Sequence, residues 1–210
     1  MKIGILFDMD GTLWDSSKNV AASWNEVISR RKLNLKTLTK ADIMSVMGHT
    51  MTEIADELFA SVSEELRYDL LDECMANEND YLSREGGTLY PELIPTLKTL
   101  AGMLPLSIVS NCQSGYIETF LDYYDLWSLF TDHLCFGDNS LPKGDNIRLL
   151  AERNSYSRYF YVGDIQADHD AAVAGGAEFI HAAYGFGTVH EKVPTIRTFS
   201  ELPDLIRKLL

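Results

Sequence analysis

From about residue 88 to its end, the chain alternates strand-length apolar runs with helical patterns, and that rhythm leaves few folds open. Leu106–Val109, His133–Phe136, Tyr159–Val162 and Glu178–Ala182 read as strands, most followed by polar or turn-forming residues. Between them, Leu93, Ile94, Leu97, Leu100 and Ala101 share one helical face, as do Ile117, Phe120, Leu121 and Tyr124. Ile147, Leu150 and Ala151 mark another helix, Asp168–Ala174 is alanine-rich, and Ser200–Leu210 is amphipathic. Strands joined through helices pair in parallel, which predicts a parallel sheet covered on both faces. Lys2–Phe7 joins this set as a first strand. It carries one positive charge and no small-residue cleavage site, so it does not read as a signal peptide.

Residues 16–85 break the rhythm. Val20, Trp24, Val27 and Ile28 fit one helix. Thr50-x-x-Glu53 has the form of a capping box and opens a second, carrying Ile54, Leu58 and Phe59. Leu66, Leu70, Cys74 and Tyr81 fit a third. With no strand among them, about 70 residues of helix are inserted after the first strand. The expected organisation is a Rossmann-like α/β core from residues 1–15 and 86–210, with residues 16–85 as a small all-helical cap.

The formal net charge of −13 repels polyanions at long range, so nucleic acid and anionic membrane surfaces are not expected partners. A small phosphate is still admissible, because a metal ion and one lysine reverse the potential locally. No apolar run approaches the roughly 18 residues of a membrane span. Cys74, Cys112 and Cys135 are widely spaced and odd in number, which suits a reducing, cytoplasmic setting and no zinc site.

Candidate chemistry gathers where strands end, the place where ligands collect in open α/β sheets. Asp8-Met9-Asp10-Gly11-Thr12-Leu13 follows the first strand directly. Ser110 and Asn111 follow Leu106–Val109, and Gly163-Asp164 follows Tyr159–Val162, with Asp168 four residues on. Lys143 falls in the loop after His133–Phe136, just before a helix. Clustered carboxylates raise one another's pKa, so a hard cation such as Mg²⁺ is needed to keep them ionised. Asp8 can then attack phosphorus as a nucleophile. Asp10 can protonate a leaving alcohol and later deprotonate water. Ser110, Asn111 and Lys143 can hold phosphoryl oxygens.

Phe7-Asp8-Met9-Asp10-Gly11-Thr12-Leu13 resembles the first motif of the haloacid dehalogenase superfamily. Ile108-Val109-Ser110-Asn111 resembles the second, Lys143 the third, and Val162-Gly163-Asp164 with Asp168 the fourth. All four stand in family order, so the resemblance spans the chain. It implies metal ligation by the Asp8 carboxylate, the Asp10 backbone oxygen and Asp164, with Asp168 in support, and a helical cap where residues 16–85 lie. Two departures stand out. Gly144 follows Lys143 where many relatives carry proline, and Ile165 stands where threonine is frequent.

Within the superfamily, dehalogenating members lack an acid at position 10 and P-type pumps carry threonine, so Asp10 implies a phosphatase or phosphomutase. Mutases of the β-phosphoglucomutase type carry a histidine in the first cap helix, where this chain has Val20. Leu13-Trp14-Asp15-Ser16, Asn25, Gly48 and Tyr184-Gly185-Phe186-Gly187 are more similar to the phosphoglycolate phosphatase branch. That makes a small phosphorylated metabolite the expected substrate, with 2-phosphoglycolate first to try and Gly48 a cap position beside it.

Other readings fare less well. As an EF-hand, Asp-x-Asp-Gly would put Leu6 at the first ligand position and Ser17 at the bidentate one. A phosphotransfer receiver has no helical insertion after its first strand, and a non-catalytic binding protein would not need Asp8, Asp10, Lys143 and Asp164 together. The five histidines show no ligand spacing, although His49 beside Gly48 could touch a substrate. Cys112 is expected as a small buried hydrophobe, and Trp14, Trp24 and Trp127 as core or interface residues.

Overall fold

Successive residues of the first strand are buried on opposite sides of one sheet, and this organises the molecule. The structure is a computed structural model describing residues 2–210. In chain order the elements are β1 (Ile3–Phe7), β2 (Trp14–Asp15), α1 (Ser17–Arg30), α2 (Lys40–Val46), α3 (Met51–Leu58) and α4 (Glu64–Glu85). β3 (Thr88–Leu89), α5 (Leu93–Ala101), β4 (Leu106–Ser110), α6 (Tyr116–Tyr123), β5 (Asp132–Cys135) and α7 (Phe136–Asn139) follow. The last are α8 (Lys143–Arg153), β6 (Arg158–Gly163), α9 (Gln166–Gly175), β7 (Glu178–Ala182), β8 (Thr195–Ile196) and α10 (Leu202–Leu209).

The main sheet has the order β5-β4-β1-β6-β7-β8, and every pairing in it is parallel. Ile5, Phe7, Ile108, Phe160 and Val162 pack on one face with residues of α5, α6 and α10. Leu6, Val109 and Tyr161 pack on the other with Ile147 and Leu150 of α8 and Ala172 of α9. This two-residue alternation buries both faces, as a helix-covered parallel sheet requires.

The chain fills β1, β4 and β5 on one side, then crosses back to build β6, β7 and β8 on the other. The order therefore reverses beside β1, and a crevice opens there at the strand ends. β2 and β3 pair antiparallel as a two-residue ribbon, with α1–α4 looped out between them as the helical cap. Trp24 of α1 stacks on Phe59 at 5.5 Å, and both are buried.

Several details differ from the sequence reading. α2 was not foreseen. It is opened by a capping box between Thr39 and Asp42, as α3 is by Thr50 and Glu53. With seven residues and only Ile43 and Val46 buried, it leaves too short a periodic trace. β2, β3 and β8 have two residues each and carry no alternation to detect. β5 ends at Cys135, and Phe136 starts α7 instead of closing the strand. Trp127 is not a core or interface residue: it is 43% exposed, its indole N–H donating to Asp122 and its ring edge-on to His133.

Candidate active site

Asp8 is the first residue after β1, and its backbone N–H donates to Val162 O at 2.9 Å, keeping it in register with β6. The chain then turns tightly: Thr12 N and Leu13 N both donate to Met9 O, and Gly11 N to Trp14 O. Gly11 makes this turn with φ +89°, and a Cβ there would lie 2.2 Å from Asp164 Oδ2. Only glycine meets both demands.

Lys143 is the first residue of α8, so it projects from a helix start and not from the preceding loop. Its Nζ lies 2.8 Å from Asp8 Oδ1 and 2.7 Å from Asp168 Oδ1, and all three residues are buried. Tyr161 OH is 3.4 Å from the same Asp8 oxygen and donates to Val109 O at 2.8 Å. Asp168 sits in the first turn of α9, and its Oδ2 accepts the backbone N–H of Asp164 (3.0 Å) and Ile165 (3.2 Å). Both of its oxygens are therefore engaged.

Asp164 is held by the late loop. Phe186 N donates to its Oδ2 at 2.6 Å, and Thr12 Oγ1 approaches Oδ1 at 3.4 Å. Tyr184 OH donates to Thr12 O at 2.8 Å, and a Cβ on Gly185 would lie 2.3 Å from Asp164 Cβ. Tyr184-Gly185-Phe186 thus clamps the turn after β1 against Asp164.

Carboxylate oxygens of Asp8, Asp164 and Asp168 converge within 4.8 Å. Burial first, and then the charge of Asp168, push Asp8 up to about 7, with Lys143 opposing. Burial and the neighbouring Asp168 and Asp8 push Asp164 up as well. Burial works against the charge on Lys143, but Asp168 and Asp8 outweigh it and keep the ammonium form. Three acids against one lysine leave an excess of negative charge, made of hard oxygen donors. Such a set fits a small divalent cation.

Asp10 points elsewhere. Its carboxylate accepts hydrogen bonds from Ser16 Oγ and from Tyr116 OH, the latter 3.0 Å from both oxygens. It is not among the carboxylates that converge on the acidic cluster. Burial pushes its carboxyl up to about 7, and the Ser16 and Tyr116 hydroxyls pull against that rise.

A cavity between cap and core is lined by Asp8, Asp10 and Ser110 on one side and by cap residues on the other. Asn111 lines it too, but its Nδ2 donates to Gly48 O at 2.8 Å, fastening core to cap. Gly48 has φ +88°, and a Cβ there would lie 2.4 Å from Ile165 Cδ1, so the residue is a contact point between cap and core. Val20 forms part of the cavity wall, and His49 lines it while remaining exposed. Cys112 is a buried member of the same wall.

Tyr116, Glu78 and Gln113 were absent from the sequence reading, and Ser16 entered it only within a branch signature. Glu78 had a readable signal, since Leu70, Cys74, Glu78 and Leu82 recur every four residues and all are buried on α4. Tyr116 had none, because it meets Asp10 across 106 residues of chain.

The family model described as haloacid dehalogenase-like hydrolase matches residues 5–182. A phosphoglycolate phosphatase of Cereibacter sphaeroides is 29% identical, covering 99% of each chain. Another from Escherichia coli O157:H7 is 26% identical, covering 87% of this chain and 82% of that protein. Among solved structures, a haloacid dehalogenase-like family hydrolase of Streptococcus pneumoniae superposes with a TM-score of 0.82. It is 17% identical over 98% of each chain, a likeness of fold.

Proposed function

The chain belongs to the haloacid dehalogenase-like hydrolases and is a phosphatase of that family, and on that footing we propose that it hydrolyses a small metabolite phosphate ester through a phosphorylated Asp8. The observation that carries this reading is the Asp8 carboxylate, buried at the end of β1 and gripped by Lys143 through Oδ1 alone. No described residue donates a hydrogen bond to Oδ2, which leaves that atom available to attack.

In the first step Asp8 Oδ2 bonds to phosphorus as the ester P–O bond breaks, and the departing oxygen takes the proton of the Asp10 carboxyl. In the second, Asp10 as carboxylate removes a proton from water while the water oxygen bonds to phosphorus. The acyl-phosphate bond breaks, restoring Asp8 and releasing inorganic phosphate. Ser110, lining the cavity beside Asp8, and the Lys143 ammonium are the donors proposed for the phosphoryl oxygens. Asn111 would hold the cap through one amide hydrogen, leaving the other for a phosphoryl oxygen.

Mg²⁺ is the proposed cofactor, held by the carboxylates of Asp8 and Asp164 and the carbonyl of Asp10, with Asp168 bracing Lys143 and the loop amides. When bound it would neutralise the acidic cluster and the phosphoryl charge. Residues 16–85 would act as the cap that excludes water. Val20, where mutases of similar fold carry histidine, offers the cavity only an isopropyl group, which favours hydrolysis over phosphoryl return. The cysteines are buried and unbonded, no helix among the described residues is long and apolar enough to cross a membrane, and a cytoplasmic location is the setting we propose.

The test is turnover of p-nitrophenyl phosphate with Mg²⁺. Activity should vanish in EDTA and return with added Mg²⁺. Full turnover in excess EDTA, with no metal by elemental analysis, would refute the mechanism.

A further inference from the structure

The cavity between cap and core is chemically one-sided. Val20, Trp24, Ile43, Val46, Met51 and Ile54 give its cap wall an apolar surface, and one carboxylate, Glu78, is set among them with 4% exposure. Trp24 Nε1 donates to Glu78 Oε2, and Gln113 Nε2 donates to Oε1 at 3.1 Å. Those two donors fill part of what a carboxylate can accept, since its oxygens offer about four lone-pair sites. Burial pushes this carboxyl up to about 7, the mark of a group short of compensating partners.

A second observation points the same way. Gln113 is 6% exposed, and its Nε2 is shared between Glu78 Oε1 and Asn79 Oδ1, the latter at 3.0 Å. Two acceptors on that nitrogen fix the amide's orientation and leave Gln113 Oε1 buried with no partner. Asn111 Oδ1 is likewise buried and unpartnered. Glu78, Gln113 and Asn111 all line the cavity, and among the described residues no lysine or arginine does. Lys143 is committed to Asp8 and Asp168. Beyond the phosphoryl position, then, the wall around Glu78 offers acceptors with spare capacity, and the side-chain donors left in the cavity lining are few: His49 and the second amide hydrogen of Asn111.

We infer that Glu78, positioned by Trp24 and Gln113, is the specificity-determining residue of this site, selecting a leaving alcohol that carries a hydrogen-bond donor on a short apolar chain and rejecting one that carries a carboxylate. This rests on the phosphatase reading above. A hydroxyl or ammonium group would supply the donors that Glu78 and Gln113 Oε1 lack. A carboxylate would instead bring a second negative charge against Glu78, in an apolar wall with no lysine or arginine beside it. The substrate class would thus differ from the one for which the phosphoglycolate phosphatases are named.

The experiment is a matched series of esters assayed at pH 8 with Mg²⁺, beside p-nitrophenyl phosphate. The series comprises 2-phosphoglycolate, 2-hydroxyethyl phosphate and ethanolamine phosphate, with their three- and four-carbon homologues. In the native enzyme, the best hydroxyl or ammonium ester should exceed the carboxylate ester of equal length at least tenfold in kcat/KM. Glu78→Gln should shrink that ratio at least tenfold, most for ammonium. The ratio is taken within one enzyme, so a partly folded variant does not distort it, and the native series decides by itself if the variant does not fold. A native preference for carboxylate esters, or an unchanged ratio in folded Glu78→Gln, overturns the assignment and spares the phosphatase reading, provided p-nitrophenyl phosphate is hydrolysed. If nothing is hydrolysed, both fall.

Discussion

The phenol of Tyr116 lies 3.0 Å from both carboxylate oxygens of Asp10, joining the start of α6 to the turn that follows β1. The bond favours the ionised form of Asp10 and so opposes the rise that burial imposes. If Asp10 is the acid that protonates the leaving oxygen, kcat/KM for an alkyl phosphate falls as pH rises through its pKa. Tyr116→Phe removes one donor and should move that alkaline limb upward by about 0.5 to 1 pH unit, since a hydrogen bond of about 1 kcal/mol corresponds to that displacement. The pH–rate profiles of native and variant enzyme give the comparison directly. A limb that stays put or moves down would remove Asp10 from the acid's role.

Gly48 tests the seam between cap and core. Its φ of +88° strains any side chain, and a Cβ would also meet Ile165 at 2.4 Å. Gly48→Ala should cost about 1–3 kcal/mol, read from denaturant midpoints. Ile165→Val shortens the obstructing group, so the double variant should be less destabilised than the two single changes added together. Strict additivity would mean that Ile165 is not the obstacle.

The carboxylates and the serine at strand ends were legible because each follows a strand with a recognisable signature. Asp8, Ser110 and Asp164 stand where apolar runs stop, and a parallel sheet brings such ends to one edge. Their packing was not legible. Which oxygen of Asp168 holds Lys143 and which caps the loop depends on how α8 and α9 lie against each other, and no local pattern encodes that. Tyr184-Gly185-Phe186 was visible as a motif but had no physical meaning until its loop was seen clamping Asp164 against the first turn. Glu78 was passed over, although its four-residue spacing from Cys74 already put it on the buried face.

Glu78 should also make stability pH-dependent. Burial raises its carboxyl from 4.5 to about 7 in the folded chain. A group raised in this way contributes stability that is complete below about 4.5 and lost as pH rises through about 7. The amount at stake is up to about 3 kcal/mol. Glu78→Gln cannot ionise, so its stability relative to the native protein should improve between pH 5 and pH 8. Urea midpoints in EDTA at the two values measure this. A difference independent of pH would mean that Glu78 is ionised throughout.

The two aspartates of the first turn should fail differently. Asp8→Asn replaces the nucleophilic carboxylate with an amide, so turnover should drop to background on every substrate. Asp10→Asn keeps the nucleophile but removes the proton donor and the base. Its loss should depend on the leaving group, because an alkoxide needs a proton as it departs and an aryl oxide needs one far less. With an aryl phosphate, Asp10→Asn should phosphorylate Asp8 and then stall, since nothing activates the water. Rapid mixing should give a burst of phenolate followed by slow release, with label from radioactive phosphate retained on the protein and lost in hydroxylamine. The Ser16 and Tyr116 hydroxyls can hydrogen-bond an asparagine as they do the aspartate, so this variant should keep its fold and the stall can be assigned to chemistry. Substantial activity in Asp8→Asn would exclude Asp8 as nucleophile and leave water attacking phosphorus directly as the better account.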